Sequence, residues 1–157
     1  MYKVGIIGPE SSGKSTLAQY LANKYKGAYV PEYARVYVEH LNRPYTYEDV
    51  ENIAQHQIKE LETITNNLSP ITNNLYFFDT ELIITKVWFL HKYGTCPDWL
   101  QEALLRFPMD VYLLCAPDIE WIPDPARENP HIRQYLFDWY EREIQSLGIP
   151  YYIIRHC

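Results

Sequence analysis

No run of lysine and arginine interrupts this chain, whose 157 residues carry a formal net charge of -6. A nucleic-acid partner is therefore not expected, because binding a phosphate backbone needs clustered cations that displace counterions. Cysteine is scarce: Cys96, Cys115 and Cys157 are odd in number and lack metal-ligand spacing. They read as packing thiols of a reducing compartment. No apolar run approaches a membrane span, and residues 1–7 are too few to form a signal peptide before a glycine loop intervenes. These absences point to a cytoplasmic protein with no membrane partner, in which the Asn67-Leu68-Ser69 sequon has no use. There are no internal repeats, and no feature sets an oligomeric state. A chain of this length buries a core without disulfides or a structural metal and is read as a single domain, 1–157.

Aromatic residues are plentiful instead, with fifteen tyrosines and four tryptophans. Most belong to a core, which leaves some to line a pocket for a flat ligand. The most specific stretch is Gly8-Pro9-Glu10-Ser11-Ser12-Gly13-Lys14-Ser15, a fit to G-x-x-x-x-G-K-[ST]. Val4 to Ile7 before it reads as a buried strand and Thr16 to Tyr25 after it as a helix, which is the setting of a phosphate-binding loop. Gly8 and Gly13 let main-chain N–H groups approach a phosphate, with Glu10, Ser11, Ser12 and Thr16 completing the cradle. The helix beginning at Lys14 adds its positive end. Lys14 is long enough to reach the β and γ phosphates, and the Ser15 hydroxyl is placed to ligate Mg2+, so ATP and Mg2+ are the expected cofactors.

Two carboxylates fall where open α/β sheets bind ligands, at the carboxyl ends of strands. Glu32 follows the short strand Ala28-Tyr29-Val30, and Asp79 closes the apolar strand Leu75-Tyr76-Phe77-Phe78. Asp79 is a candidate Mg2+ partner, with an N-cap for the next helix as the structural alternative. Between them, Thr46 and Asp49 resemble a capping box that opens a long helix through Ile64. Gln57 lies on that helix's apolar stripe, either as a tie to a backbone group or as a ligand contact. The next helix, about Leu82 to Tyr93, is expected to place Ile84, Val87, Trp88 and His91 on one face, with His91 at the edge of the core. A short helix opened by Pro97 and a fourth strand, Val111 to Cys115, follow. Residues 116–133 are proline-rich and polar, too long for an ordinary connection, and are read as a lid. Arg127 within it and Arg133 at the helix beyond are candidates to meet phosphate charge, against the alternative of surface ion pairs. Ile132, Leu136, Trp139 and Leu147 mark that last helix, and Tyr151 to Ile154 the fifth strand.

Five strands separated by helices imply an α/β three-layer sandwich, a five-stranded parallel sheet with helices on both faces. The order expected is that of P-loop kinases, 2-3-1-4-5. The phosphate loop, Glu32-Tyr33-Ala34-Arg35, Ile53-Ala54 with Gln57, Phe78-Asp79-Thr80 and the set Trp121, Asp124, Arg127 together resemble the ribosylnicotinamide kinase domain of the NadR type and related small P-loop ATPases. That resemblance implies transfer of the ATP γ-phosphate to the 5′-hydroxyl of nicotinamide riboside. It does not carry over the DNA-binding and adenylyltransferase activities of NadR, whose segments have no counterpart in this sequence. Kinases of this kind continue past the fifth strand with residues bordering adenine, whereas this chain stops at Arg155-His156-Cys157; the expectation is a shortened sequence or a loosely held adenine.

The roles expected are Lys14 and the loop on the phosphates, Ser15 and Asp79 on the metal, and Arg127 on the transferring group. Glu32 and Asp79 are both candidates to orient the substrate hydroxyl, with Glu32 favoured. Tyr33, Arg35, Gln57, Trp88 and Trp121 are the candidate substrate contacts, aromatic faces suiting a cationic ring. Competing readings are a kinase for another nucleoside or small hydroxyl compound, and a nucleotide-sensing module that binds ATP without transferring phosphate.

Overall fold

The computed structural model describes residues 1–66, 74–117 and 130–155. Its strands are β1 (Tyr2–Ile7), β2 (Ala28–Val30), β3 (Leu75–Asp79), β4 (Val111–Cys115) and β5 (Tyr151–Ile154). The helices are α1 (Lys14–Tyr25), α2 (Tyr33–Glu39), α3 (Tyr47–Asn66), α4 (Leu82–Tyr93), α5 (Asp98–Arg106) and α6 (Pro130–Leu147). All pairs are parallel and the order is β2-β3-β1-β4-β5, as the sequence implies. The strand preceding the phosphate loop is therefore central.

Alternation along β1 divides the core in two. Val4 and Ile6 face α1 with Ala18, Ala22, Phe77, Val111 and Cys115. Ile7 faces the opposite layer, where α3, α4, α5 and α6 supply most of the buried apolar side chains. Gly5 lies on that side because a Cβ there would come within 2.8 Å of the Tyr112 ring. The space it leaves lets Tyr112 donate to the buried Glu81, which also accepts from the Ile83 and Leu82 amides at the start of α4. Burial pushes the Glu81 carboxyl up to about 7, against the opposing effects of these bonds and of Lys3.

Helix faces depart from the apolar spacing at three places. In α1 the alanines Ala18 and Ala22 are buried and Leu17 and Leu21 only half-buried, because small side chains bring the helix close to the sheet. In α4 the buried set is Leu82, Ile83, Thr85, Val87 and Phe89, while His91 is exposed beside the Tyr135 and Trp139 rings. That helix packs on α3, α5 and α6 together, so no single stripe describes it. In α6 the buried positions are Arg133, Phe137, Tyr140 and Ile144, and Leu136, Trp139 and Leu147 are only half-buried. A charged residue heads the buried stripe because it bonds the phosphate loop. Burial also pushes the Cys96 thiol up to about 11, consistent with a packing role. Among the described residues, no helix is long and apolar enough to cross a membrane.

The short α2 was not evident in the sequence and has no buried residue, so side-chain ties must hold it. Asp49, 2% exposed at the start of α3, provides them. It accepts from the Tyr37 hydroxyl at 2.8 Å and from Arg43 Nη1 and Nη2 at 2.7 and 3.0 Å. It also accepts from the Thr46 amide at 2.7 Å, and its own amide donates to Thr46 Oγ1 at 3.3 Å, so the expected reciprocal cap is present. The Arg43 bonds, followed by the other donors, hold the Asp49 carboxyl well below the usual carboxylate range. A depressed folded-state pKa contributes stability that is complete above the unfolded value, about 3.9, and is lost as pH falls toward the folded one. Asp49→Asn should therefore lower Tm at pH 7, with a gap to the parent that narrows below about pH 4. Thermal unfolding between pH 3 and 7 checks this; a gap independent of pH would contradict it.

Candidate active site

The parallel register assembles the site at one edge of the sheet. Ile6 is level with Asp79, and the Thr80 amide donates to the Ile6 carbonyl at 2.9 Å. Asp79 thus lies beside the point where β1 enters the phosphate loop. Val30 pairs with Phe78, so Glu32, two residues later, emerges at the same edge.

Geometry of the loop follows from its glycines. At Gly8, a Cβ would sit 2.7 Å from the Cys115 carbonyl and 2.8 Å from Ser12 Oγ, so β4 presses the loop too closely for any side chain. Gly13 has φ 85 where it caps α1, and Ser11 has φ 57. Left-handed residues alternating with ordinary ones turn successive N–H groups inward, which makes an anion cradle. Holding Ser11 there costs about 1 kcal/mol or more, and nearby bonds oppose the loss. Ser12 Oγ donates to the Pro9 carbonyl at 2.6 Å. Arg133 donates through Nε to the Glu10 carbonyl and through Nη2 to the Ser11 carbonyl, both at 3.1 Å. With its carbonyls gripped from α6, the loop keeps its amides on the other side.

Charge is concentrated beside the cradle. Lys14 is buried and donates to the Pro9 carbonyl at 3.2 Å. Burial lowers its pKa, while Glu32 and then Asp79 act in the opposite direction. Burial raises the Glu32 carboxyl, opposed by Lys14 and Arg35, whose Nη2 lies 3.5 Å from Glu32 Oε2. Asp79 is fully buried, and its Oδ2 accepts from Ser15 Oγ at 2.6 Å and from the Tyr29 hydroxyl at 2.9 Å. Its Oδ1 receives no hydrogen bond.

Buried polar atoms without a partner are uncommon, and each calls for an explanation. Among the described residues such side-chain atoms are Glu32 Oε2, Asp79 Oδ1, Thr80 Oγ1 and Asn74 Oδ1. Three of the four sit at the carboxyl ends of β2 and β3, around the phosphate loop, where a ligand would satisfy them. Asp79 Oδ1 beside Ser15 Oγ suits a hard cation that prefers oxygen ligands and shares its shell with phosphate.

The structure thus brings together Gly8, Ser11, Ser12, Gly13, Lys14, Ser15, Glu32 and Asp79, with Glu10 and Thr16 exposed at the rim. Tyr33 and the exposed Arg35 adjoin Glu32, and the Tyr33 ring stacks on His56 at 3.5 Å between centroids. Gln57 is committed elsewhere: its Oε1 accepts from Thr85 at 2.7 Å, tying α3 to α4 through a side chain rather than a backbone group. Trp88 likewise donates from Nε1 to the Tyr45 hydroxyl at 3.1 Å. Arg133 belongs to α6, which begins at Pro130 inside the stretch expected as a lid, and it bonds main-chain carbonyls. Trp121, Asp124 and Arg127, with most of that stretch, lie outside the described residues. Sequence reasoning missed Tyr29, Thr80 and the grip of Arg133. The signal for Tyr29 was its alternation with Val30: on β2 it faces the same side as Phe77, its register partner, and Asp79.

Comparison with known proteins agrees with this fold. The trifunctional NAD biosynthesis/regulator protein NadR of Salmonella typhimurium (strain LT2) is 31% identical over 129 residues, 79% of this chain and 30% of that protein. Two solved structures share the fold. A NadR protein in complex with NR superposes with a TM-score of 0.78 at 24% identity, covering 97% of this chain and 45% of the other. A NadR protein in complex with NAD and AMP-PNP gives 0.76 at 22% identity, covering 99% and 44%. The chain therefore spans less than half the length of each of these relatives. The family model described as AAA domain matches residues 3–157, and the chain belongs to that family of P-loop domains.

Proposed function

We propose that the protein is an ATP-dependent kinase that phosphorylates the 5′-hydroxyl of nicotinamide riboside, giving nicotinamide mononucleotide. The observation that carries this reading is the pair of buried carboxylate oxygens that accept no hydrogen bond, Glu32 Oε2, with the Arg35 guanidinium at 3.5 Å, and Asp79 Oδ1, set around an anion cradle. A domain that only bound ATP would need the cradle and one metal-side acid; a second, half-buried acid whose inner oxygen accepts no hydrogen bond suits a second ligand. The choice of nicotinamide riboside rests on the likeness to NadR and on the NR and AMP-PNP in the two solved NadR structures.

In this mechanism the loop amides, the N-terminus of α1 and Lys14 bind the β and γ phosphates and balance their charge. Ser15 Oγ and Asp79 would hold Mg2+, which would supply positive charge to neutralise the phosphates. Glu32 accepts the hydrogen bond of the substrate hydroxyl and takes its proton as the 5′-oxygen bonds to the γ-phosphorus. The bond from that phosphorus to the β,γ-bridging oxygen breaks, and ADP leaves with the electron pair. Burial makes Glu32 a stronger base than an exposed carboxylate, and Lys14 and Arg35 oppose that shift. Tyr33 and Arg35 border the nucleoside, and Arg127 meets the charge on the transferring group. The reaction takes place in the cytoplasm.

ADP release measured over a panel of nucleosides, with Lys14→Ala as control, tests the assignment. Turnover should be greatest with nicotinamide riboside and absent in the control. Hydrolysis independent of any acceptor, or ATP binding without turnover, would sink the kinase reading, and a different preferred nucleoside would sink the substrate. Glu32→Gln should lower kcat by about 100-fold with the KM for ATP little changed. Asp79→Asn should instead raise the Mg2+ requirement. Equal effects of the two substitutions on both constants would contradict the division of roles.

A further inference from the structure

Asp79 is pinned by one oxygen only, and the second pin comes from a residue with no place in the loop motif. Register explains the contact. Tyr29 is level with Phe77, two residues before Asp79, and strand side chains two apart share a face. Asp79, Phe77, Tyr29 and Ile6 thus all point toward α1, where Ser15 begins the helix. A tyrosine is long enough to span such a diagonal, and its hydroxyl meets Asp79 Oδ2 at 2.9 Å while Ser15 Oγ meets the same atom at 2.6 Å. The Tyr29 phenol also bonds the side chains of Gln19, one turn beyond Ser15, and of Ser15 itself. The carboxylate plane is fixed through Oδ2, and Oδ1 is left buried and without a hydrogen bond.

Resting on the reading of Ser15 and Asp79 as the metal side of the site, we propose that Tyr29 is a positioning residue. Its hydroxyl holds the Asp79 carboxylate so that Oδ1 faces the cation while the Ser15 hydroxyl changes partners. Ser15 cannot hold the carboxylate alone once its oxygen also ligates the metal. The phenol supplies a donor that the cation does not compete for, because it approaches from β2 rather than from the loop. Removing it frees the carboxylate to rotate about its Cβ–Cγ bond, and the cost appears wherever binding depends on Oδ1.

The test is Tyr29→Phe, which keeps the ring and deletes the hydroxyl, read by calorimetric titration with a non-hydrolysable ATP analogue at a series of Mg2+ concentrations. The Mg2+ concentration for half-maximal enhancement of binding should rise about tenfold, as expected for a lost hydrogen bond to a charged group. Affinity without Mg2+ should stay within about twofold. In the Asp79→Asn background the same substitution should add no further shift, because coupled residues do not act independently. An unchanged Mg2+ profile, an equal loss of affinity with and without Mg2+, or full additivity with Asp79→Asn would overturn the proposal. No nucleoside acceptor enters these measurements, so they stand apart from the test of kinase activity.

Discussion

Everything at the candidate site depends on the parallel pairing of β1 with β3 in the register that sets Ile6 beside Asp79. Shifting that register by one residue would turn Asp79 from the α1 face to the opposite layer and out of reach of Ser15. The pairing is held by an unbroken apolar sheet interior and by Gly5, which admits the Tyr112 ring across the central strand. Core packing therefore decides where the carboxylate points, and the carboxylate decides what the glycine loop can be used for.

The site collects groups that a folded chain ordinarily avoids burying. A lysine and two carboxylates lie together at the sheet edge, their charges compensating one another imperfectly. Buried charges are costly unless paired and hydrogen-bonded, and in the proposed reaction the incomplete pairing here would be completed by phosphate, a cation and a hydroxyl. The rest of the fold is arranged to keep this cluster from collapsing. Arg133 grips the loop from α6, and Asp49 ties α2 to α3 beside Glu32. Neither contact needs to touch a ligand to matter, because a donor displaced by an ångström loses much of its effect.

How far the sequence could be read follows from which interactions are local. Strand order, the loop and the positions of Glu32 and Asp79 were legible, because strand–glycine–helix context and apolar runs are short-range signals. The Thr46–Asp49 cap was legible for the same reason. The helix α2 was not, since a seven-residue helix with no buried face leaves no hydrophobic period. The faces of α4 and α6 were misplaced because α4 is apolar on most sides and α6 is phased by a buried charge, which counting apolar residues cannot detect. Sequence leaves Gln57 open between a structural tie and a ligand contact and offers Trp88 as a substrate contact; their tertiary partners, Thr85 and Tyr45, appear only once the helices are packed. Tyr29 reaches Asp79 across 50 residues of sequence, a contact visible only once the strands are paired.

In the proposed reaction, Glu32 and the Gly8–Ser15 loop receive the two reactants of one phosphoryl transfer. A crystal structure with a non-hydrolysable ATP analogue, Mg2+ and nicotinamide riboside measures this directly. The β and γ phosphates should lie within the Gly8–Ser15 amides and the 5′-hydroxyl within hydrogen-bond distance of Glu32, facing the γ phosphate. A nucleoside bound away from Glu32, or a γ phosphate pointing away from it, would rule out this division of roles.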